Sequence, residues 1–172
     1  MSTSATTEER VYPGETSTPA ELIALADEFR RATEAVVSTH KAGNTISTAP
    51  FRLLCIHAIE LYLNAFLRDA GQPAPAIRGL QHNLAARLEL TDRYGLVLRQ
   101  KTRGHLAAIS ENREYLISRY QPKAAKLSQL NRLQATLLEV RKKVLKKLSE
   151  PKPKISPQAL TLTGSAVVAL RA

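Results

Sequence analysis

The stretch Pro50-Phe-Arg-Leu-Leu-Cys-Ile-His-Ala-Ile-Glu-Leu-Tyr-Leu-Asn-Ala-Phe-Leu-Arg-Asp-Ala-Gly71 decides the fold. Phe51, Leu54, Cys55, Ala58, Ile59, Tyr62, Ala65 and Phe66 recur at helical spacing. Leu53, Ile56, Leu63 and Leu67 add apolar surface on another side. A helix apolar over most of its circumference belongs at the centre of a bundle. One narrow line is polar: His57, Glu60, Asn64 and Arg68, three, four and four residues apart.

Outward from this helix the chain punctuates itself clearly. Thr18-Pro19-Ala20-Glu21 combines a capping Thr, a Pro suited to the first helical position and a Glu that closes a capping box. Leu22, Leu25, Phe29, Ala32 and Val36 carry helix 1 to about Thr39, and Gly43 helps end it. After the central helix, Gln72 to Ala76 reads as a connector. Helix 3 is predicted over Leu80 to Tyr94, closed by Gly95, and helix 4 over Leu98 to Ser118, broken by Gln121-Pro122. Helix 5 spans Lys126 to Ser149, with the seam Leu130, Leu133, Leu137, Val140 and Val144. The expectation is an all-α, four- to five-helix up-down bundle over residues 18–150. A flexible segment, residues 1–17, precedes it, and a basic Pro/Lys-containing tail, residues 151–172, follows.

Composition narrows the chemistry. Among 172 residues, 44% are hydrophobic and 23% charged, as in an ordinary folded domain. Cys55 is the single cysteine, so no internal disulfide forms, and no Cys/His spacing calls for zinc. No P-loop, nucleophile elbow or paired-histidine motif occurs, and no metal or other cofactor is expected. The N-terminal residues lack a basic start and an apolar core, and nowhere do 18 apolar residues run together, so a cytoplasmic protein without a membrane span is expected.

Charge is distributed unevenly. Residues 1–40 hold 3 Lys/Arg against 7 Asp/Glu, while residues 121–172 hold 11 against 2. A basic face of Lys142, Lys143, Lys146 and Lys147, with Arg141, Lys152 and Lys154 beside it, points to a polyanion; solubility alone is the competing explanation. Arg93, Arg99, Lys101 and Arg103 form a further basic group. His57 and Glu60 form a polar site that could orient an imidazole, with Asn64 alongside; a polar edge on a buried helix explains them equally well.

Three ordered pieces resemble the HEPN superfamily (higher eukaryotes and prokaryotes nucleotide-binding). The run from His57 to Leu67 is similar to that family's Ala-x-Glu-Leu-x-Leu-Lys-x-Leu-Leu helix. Gln81-His82-Asn83-Leu84 is similar to its Gly-His-Asp-Leu, and Asn112 to Pro122 is similar to a fourth-helix end closed by Arg-Tyr-Pro, with Gln121 inserted before the Pro. The resemblance covers residues 20–122.

The resemblance implies a helical bundle that forms a homodimer and, in many members, cuts RNA with an Arg, a polar residue and a following His. Arg113 matches the Arg and Glu114 the polar residue, but Ser118 stands where the His would fall. Serine does not serve as an acid or base near neutral pH as imidazole does. The expectation is therefore a HEPN-like, non-catalytic RNA- or nucleotide-binding regulatory protein. Its partners are implied by resemblance: RNA or nucleotide, and a nucleotidyltransferase-type protein, within a toxin-antitoxin or nucleotidyltransferase-associated system. Arg113, Arg119 and Tyr120 are the binding candidates at the end of helix 4, where Arg113 and Tyr120, seven apart, share a helical face. A structural role competes, with Arg113 paired to a buried carboxylate such as Glu60 and Tyr120 packed in the core. Two further readings stand beside this one: a metal-independent ribonuclease that recruits His57, His82 or His105, and a dimerisation module without a nucleic-acid ligand.

Overall fold

Thr18 caps the first helix as its sequence predicts: its Oγ1 accepts from the Glu21 backbone N–H at 3.2 Å, and Glu21 Oε2 accepts from the Thr18 N–H at 2.7 Å. The computed structural model describes residues 11–121 and 126–151. Helix α1 spans Pro19–Val36, α2 Thr45–Asp69, α3 Ala74–Gly79, α4 Leu84–Arg93, α5 Gln100–Glu111, α6 Glu114–Tyr120 and α7 Leu130–Ser149. A 3-10 turn, Val37–Thr39, follows α1. No described residue lies in a strand, so the protein is all-α.

Helix α2 is the core, and α1, α4, α6 and α7 all pack on it. Ile56, Ile59, Tyr62, Leu63 and Leu67 are fully buried, and Phe66 nearly so. Each such side chain contributes about 1.5–3 kcal/mol through the area it removes from water. By length and apolarity α2 could cross a membrane, but most of it is buried inside the fold, as a core helix should be. From α7 the expected seam arrives: Leu133, Leu137, Val140 and Val144 are buried, and Leu130 is partly so.

Several element boundaries differ from the sequence reading. Helix α2 begins at Thr45 rather than Pro50, because Asn44 Oδ1 accepts from the Ile46 and Ser47 N–H groups and caps an earlier turn. The expected helix 3 is two elements: α3 takes over the connector, and α4 starts only after Asn83, whose Oδ1 accepts from Ala86 N–H. The expected helix 4 is broken at Arg113, which adopts a left-handed conformation (φ 52°) between α5 and α6. Helix α7 starts at Leu130 rather than Lys126.

Polar ties fix the helices against one another. Asp27 on α1 accepts from Tyr62 Oη at 2.5 Å and from Arg141 Nε at 2.7 Å, joining α1, α2 and α7. Burial works to raise the Asp27 pKa, but these two donors outweigh it and hold the carboxyl below its ordinary value. Glu139 on α7 accepts from the Arg99 N–H at 2.8 Å and from Thr102 Oγ1 at 2.8 Å, capping α5 from outside its own sequence. Residues 152–172, and with them Lys152, Lys154 and the apolar run after residue 159, lie outside the described residues, as do residues 1–10 and 122–125.

Candidate functional site

The polar line of α2 forms a wall of a groove, and two of its members, Glu60 and Asn64, meet α4. Arg87, only 2% exposed, donates from Nε to Asn64 Oδ1 at 2.8 Å and from Nη2 to Glu60 Oε1 at 3.2 Å. The other Glu60 oxygen, Oε2, lies 3.1 Å from His82 Nδ1. A carboxylate only accepts, so this contact places the proton on Nδ1 and leaves Nε2 of the neutral ring as an acceptor. The His82 side chain is 46% exposed.

Glu60 therefore orients His82, not His57 as the sequence spacing predicts. The His57 ring packs edge-on against Phe29, centroids 4.4 Å apart, and its Nδ1 is buried without a hydrogen-bond partner among the described residues. Burial, with the Arg119 charge adding, pushes the His57 pKa below its ordinary value, against the opposing pull of Glu60.

From the other side α6 delivers a stack. The Tyr115 ring lies on His82, centroids 3.6 Å apart and planes 25° from parallel, and the Arg119 guanidinium sits 4.0 Å over the same Tyr115 ring. Next to it Tyr120 is 75% exposed. Two grooves meet here. The first, about 940 Å³, is lined by His57, Glu60, Asn64, Arg68, Arg78 and Arg87; the second, about 910 Å³, by Asn83, Ser110, Arg113 and Tyr115. Gly79, Gln81 and His82 line both. Gln81 (φ 48°) and Arg113 (φ 52°) are the two non-glycine residues of positive φ among the described residues, and both border the second groove. Such backbone strain concentrates where a protein positions groups for function.

The competing structural role for Arg113 and Tyr120 is overturned. Arg113 is exposed, Arg87 is the partner of Glu60, and Tyr120 stands in solvent rather than in the core. Their shared helical face is also lost, because the left-handed Arg113 precedes α6. Both arginines, Arg113 and Arg119, lack a carboxylate within ion-pair distance among the described residues, so both are available to an anion.

Glu114, the polar residue carried over from the resemblance, turns inward. It is buried, 3.7 Å from Arg52, and its Oε1 accepts from the Ser128 N–H at 2.8 Å and Oγ–H at 2.6 Å. Because Ser128 Oγ gives its proton to Glu114, it accepts from His105 Nε2 at 2.7 Å, and His105 Nδ1 in turn accepts from Thr136 Oγ1 at 2.7 Å. Burial, helped by the Arg132 charge, lowers the His105 pKa to about 4. His105 is thus a neutral structural bridge to α7. Ser118 likewise spends its hydroxyl locally, donating to Tyr115 O at 3.1 Å.

On α7, Lys142, Lys146 and Lys147 are exposed and Lys143 is half-buried; Lys147 pairs with Glu150 at 2.8 Å. Arg141 leaves the expected basic face, bound to Asp27, and the further basic group is partly neutralised, Arg99 by Glu139 and Arg103 by Asp92. Among the described residues no three His, Cys, Asp or Glu side chains gather as a metal site. Arg87 and Tyr115 are the residues that the sequence reading missed. A lone Glu on an apolar helix was the available signal, since a buried carboxylate requires a partner. No family model, curated protein or solved structure matches the chain.

Proposed function

We propose that the chain is a HEPN-like protein that binds single-stranded RNA or nucleotide without cleaving it, acting as a homodimer in the cytoplasm. One observation carries this reading: His82, Tyr115 and Arg119 form a stack at the junction of two grooves, flanked by the exposed Arg113 and Tyr120. Guanidinium groups grip phosphate with two parallel hydrogen bonds, and aromatic faces accept any base by stacking. The exposed lysines of α7 add a sequence-independent attraction for the phosphate backbone. A regulatory role beside a nucleotidyltransferase-type protein follows from the resemblance alone.

The test is equilibrium binding of a fluorescent single-stranded RNA to the parent and to Arg119→Gln/Tyr120→Ala. Loss of one stacked base costs about 1–3 kcal/mol, so the double variant should bind at least roughly tenfold more weakly. Equal affinities would overturn the assignment of this site.

A second reading, metal-independent cleavage, is favoured by the Glu60–His82 contact, which leaves an imidazole nitrogen at the surface beside arginines. Cleavage by purified protein that is lost in His82→Asn would establish it. RNA that stays intact under conditions of saturating binding supports the non-cleaving reading.

A further inference from the structure

Segment 11–17 does not stand clear of the bundle; it bends over the first groove. Gly14, at φ 83°, lets the chain turn, with Glu15 N–H donating to Tyr12 O at 3.0 Å and Ser17 N–H to Gly14 O at 3.2 Å. That turn brings two different groups onto one cation of the groove. Glu15 Oε2 lies 3.0 Å from Arg78 Nη1, and the Arg78 guanidinium sits 4.3 Å over the Tyr12 ring. The other groove arginines are anchored within the bundle: Arg87 by Glu60 and Asn64, and Arg68 through Nη1 to the Gln72 carbonyl. Among the described residues Arg78 alone of the three takes its partners from the segment ahead of α1, and its side chain is 40% exposed.

We propose that Tyr12 and Glu15 occupy, in cis, a subsite at Arg78 for an aromatic base and its phosphate, the chemistry of a nucleoside monophosphate unit. The inference rests on the nucleotide-binding reading above and adds where a phosphorylated nucleotide seats and what it displaces. The Glu15 carboxylate stands where a phosphate would sit and the Tyr12 ring where a base would stack. A phosphate carries more charge than a carboxylate and meets a guanidinium with two parallel hydrogen bonds, so it outcompetes the single Glu15 contact. The groove measures about 940 Å³, within the size range of small-molecule sites. His57 and Arg68 line the same groove, and His57 Nδ1 and Arg68 Nε are buried without a hydrogen-bond partner among the described residues.

The base-plus-phosphate unit has two sources, a free nucleotide or the phosphorylated end of an RNA chain. Adenosine 5′-monophosphate, 5′-phosphorylated pentauridylate and its 5′-hydroxyl counterpart are titrated calorimetrically into the full-length parent, Tyr12→Ala/Glu15→Gln and Arg78→Gln. An exposed ion pair and an exposed cation–π contact are each worth only a few-fold, so removing both competitors should tighten phosphate-dependent binding about five- to tenfold. Arg78→Gln should abolish the preference for the phosphorylated over the hydroxyl RNA. Equal tightening for adenosine monophosphate and phosphorylated RNA assigns the subsite to the nucleotide unit itself; tightening for RNA only assigns it to the chain end. The proposal is overturned if the double variant binds no tighter, or if it shows no phosphate preference. Binding of the 5′-hydroxyl RNA by the parent separately reports the broader RNA-binding reading, so the two can fail independently.

Discussion

Glu60 Oε1 and Arg87 Nη2 lie 3.2 Å apart, both side chains buried where α2 meets α4. The same carboxylate holds His82 through its other oxygen. One ion pair thus fastens two helices and aims the ring at the junction of the grooves. Breaking a buried pair from one side leaves an uncompensated charge, which costs about 3–5 kcal/mol. Arg87→Leu should lose stability of that order in urea unfolding, whereas Arg87→Leu/Glu60→Leu should recover much of it. A single variant within about 0.5 kcal/mol of the parent would show that the pair does not hold this interface.

Acid should loosen the attachment of α7 through His105. Its folded pKa of about 4 lies below the ordinary 6.5, so the unfolded chain binds the proton more readily. The stabilisation is fully present above about pH 6.5 and is lost as pH falls towards 4. With the ring only partly buried, the loss should be about 1–2 kcal/mol. Asp27, also held below its ordinary value, adds a loss of the same sign at lower pH. Denaturant midpoints between pH 7 and 4 should therefore fall more steeply for the parent than for His105→Gln; identical profiles would remove His105 from the acid response.

Much of the bundle is written in α2 and α7, where apolar periodicity alone identifies the buried faces. The Thr18 capping box is equally local and equally legible. What stays hidden depends on groups distant in sequence. Glu139 caps α5 from α7, and Arg52 with Glu114 fixes the approach to α7 by holding Ser128. The break at Arg113 is hidden for another reason: an arginine in a left-handed conformation carries no sequence signature of the kind glycine supplies. Because of that break, Arg113 and Tyr120 do not share the helical face that their seven-residue spacing suggests. Arg119 reaches the His82 stack, while Arg113 lines the second groove without pairing to Glu60.

Charge on α7 should set the salt dependence of RNA binding. Each phosphate contact to a single strand contributes a slope of about 0.7 in log affinity against log salt. Lys142→Gln/Lys143→Gln/Lys146→Gln/Lys147→Gln should flatten that slope by up to about 2.8 and leave the helical circular dichroism unchanged, since none of the four is buried. An unchanged slope would assign these lysines to solubility.

Photocrosslinking of a 4-thiouridine-substituted single strand, followed by peptide mapping, tests the binding site most directly. Crosslinks should fall on the exposed Tyr120 and the peptide bearing His82, and should fade as unlabelled RNA competes. Saturable crosslinks confined to other surfaces, with none on α6 or around His82, would contradict the account.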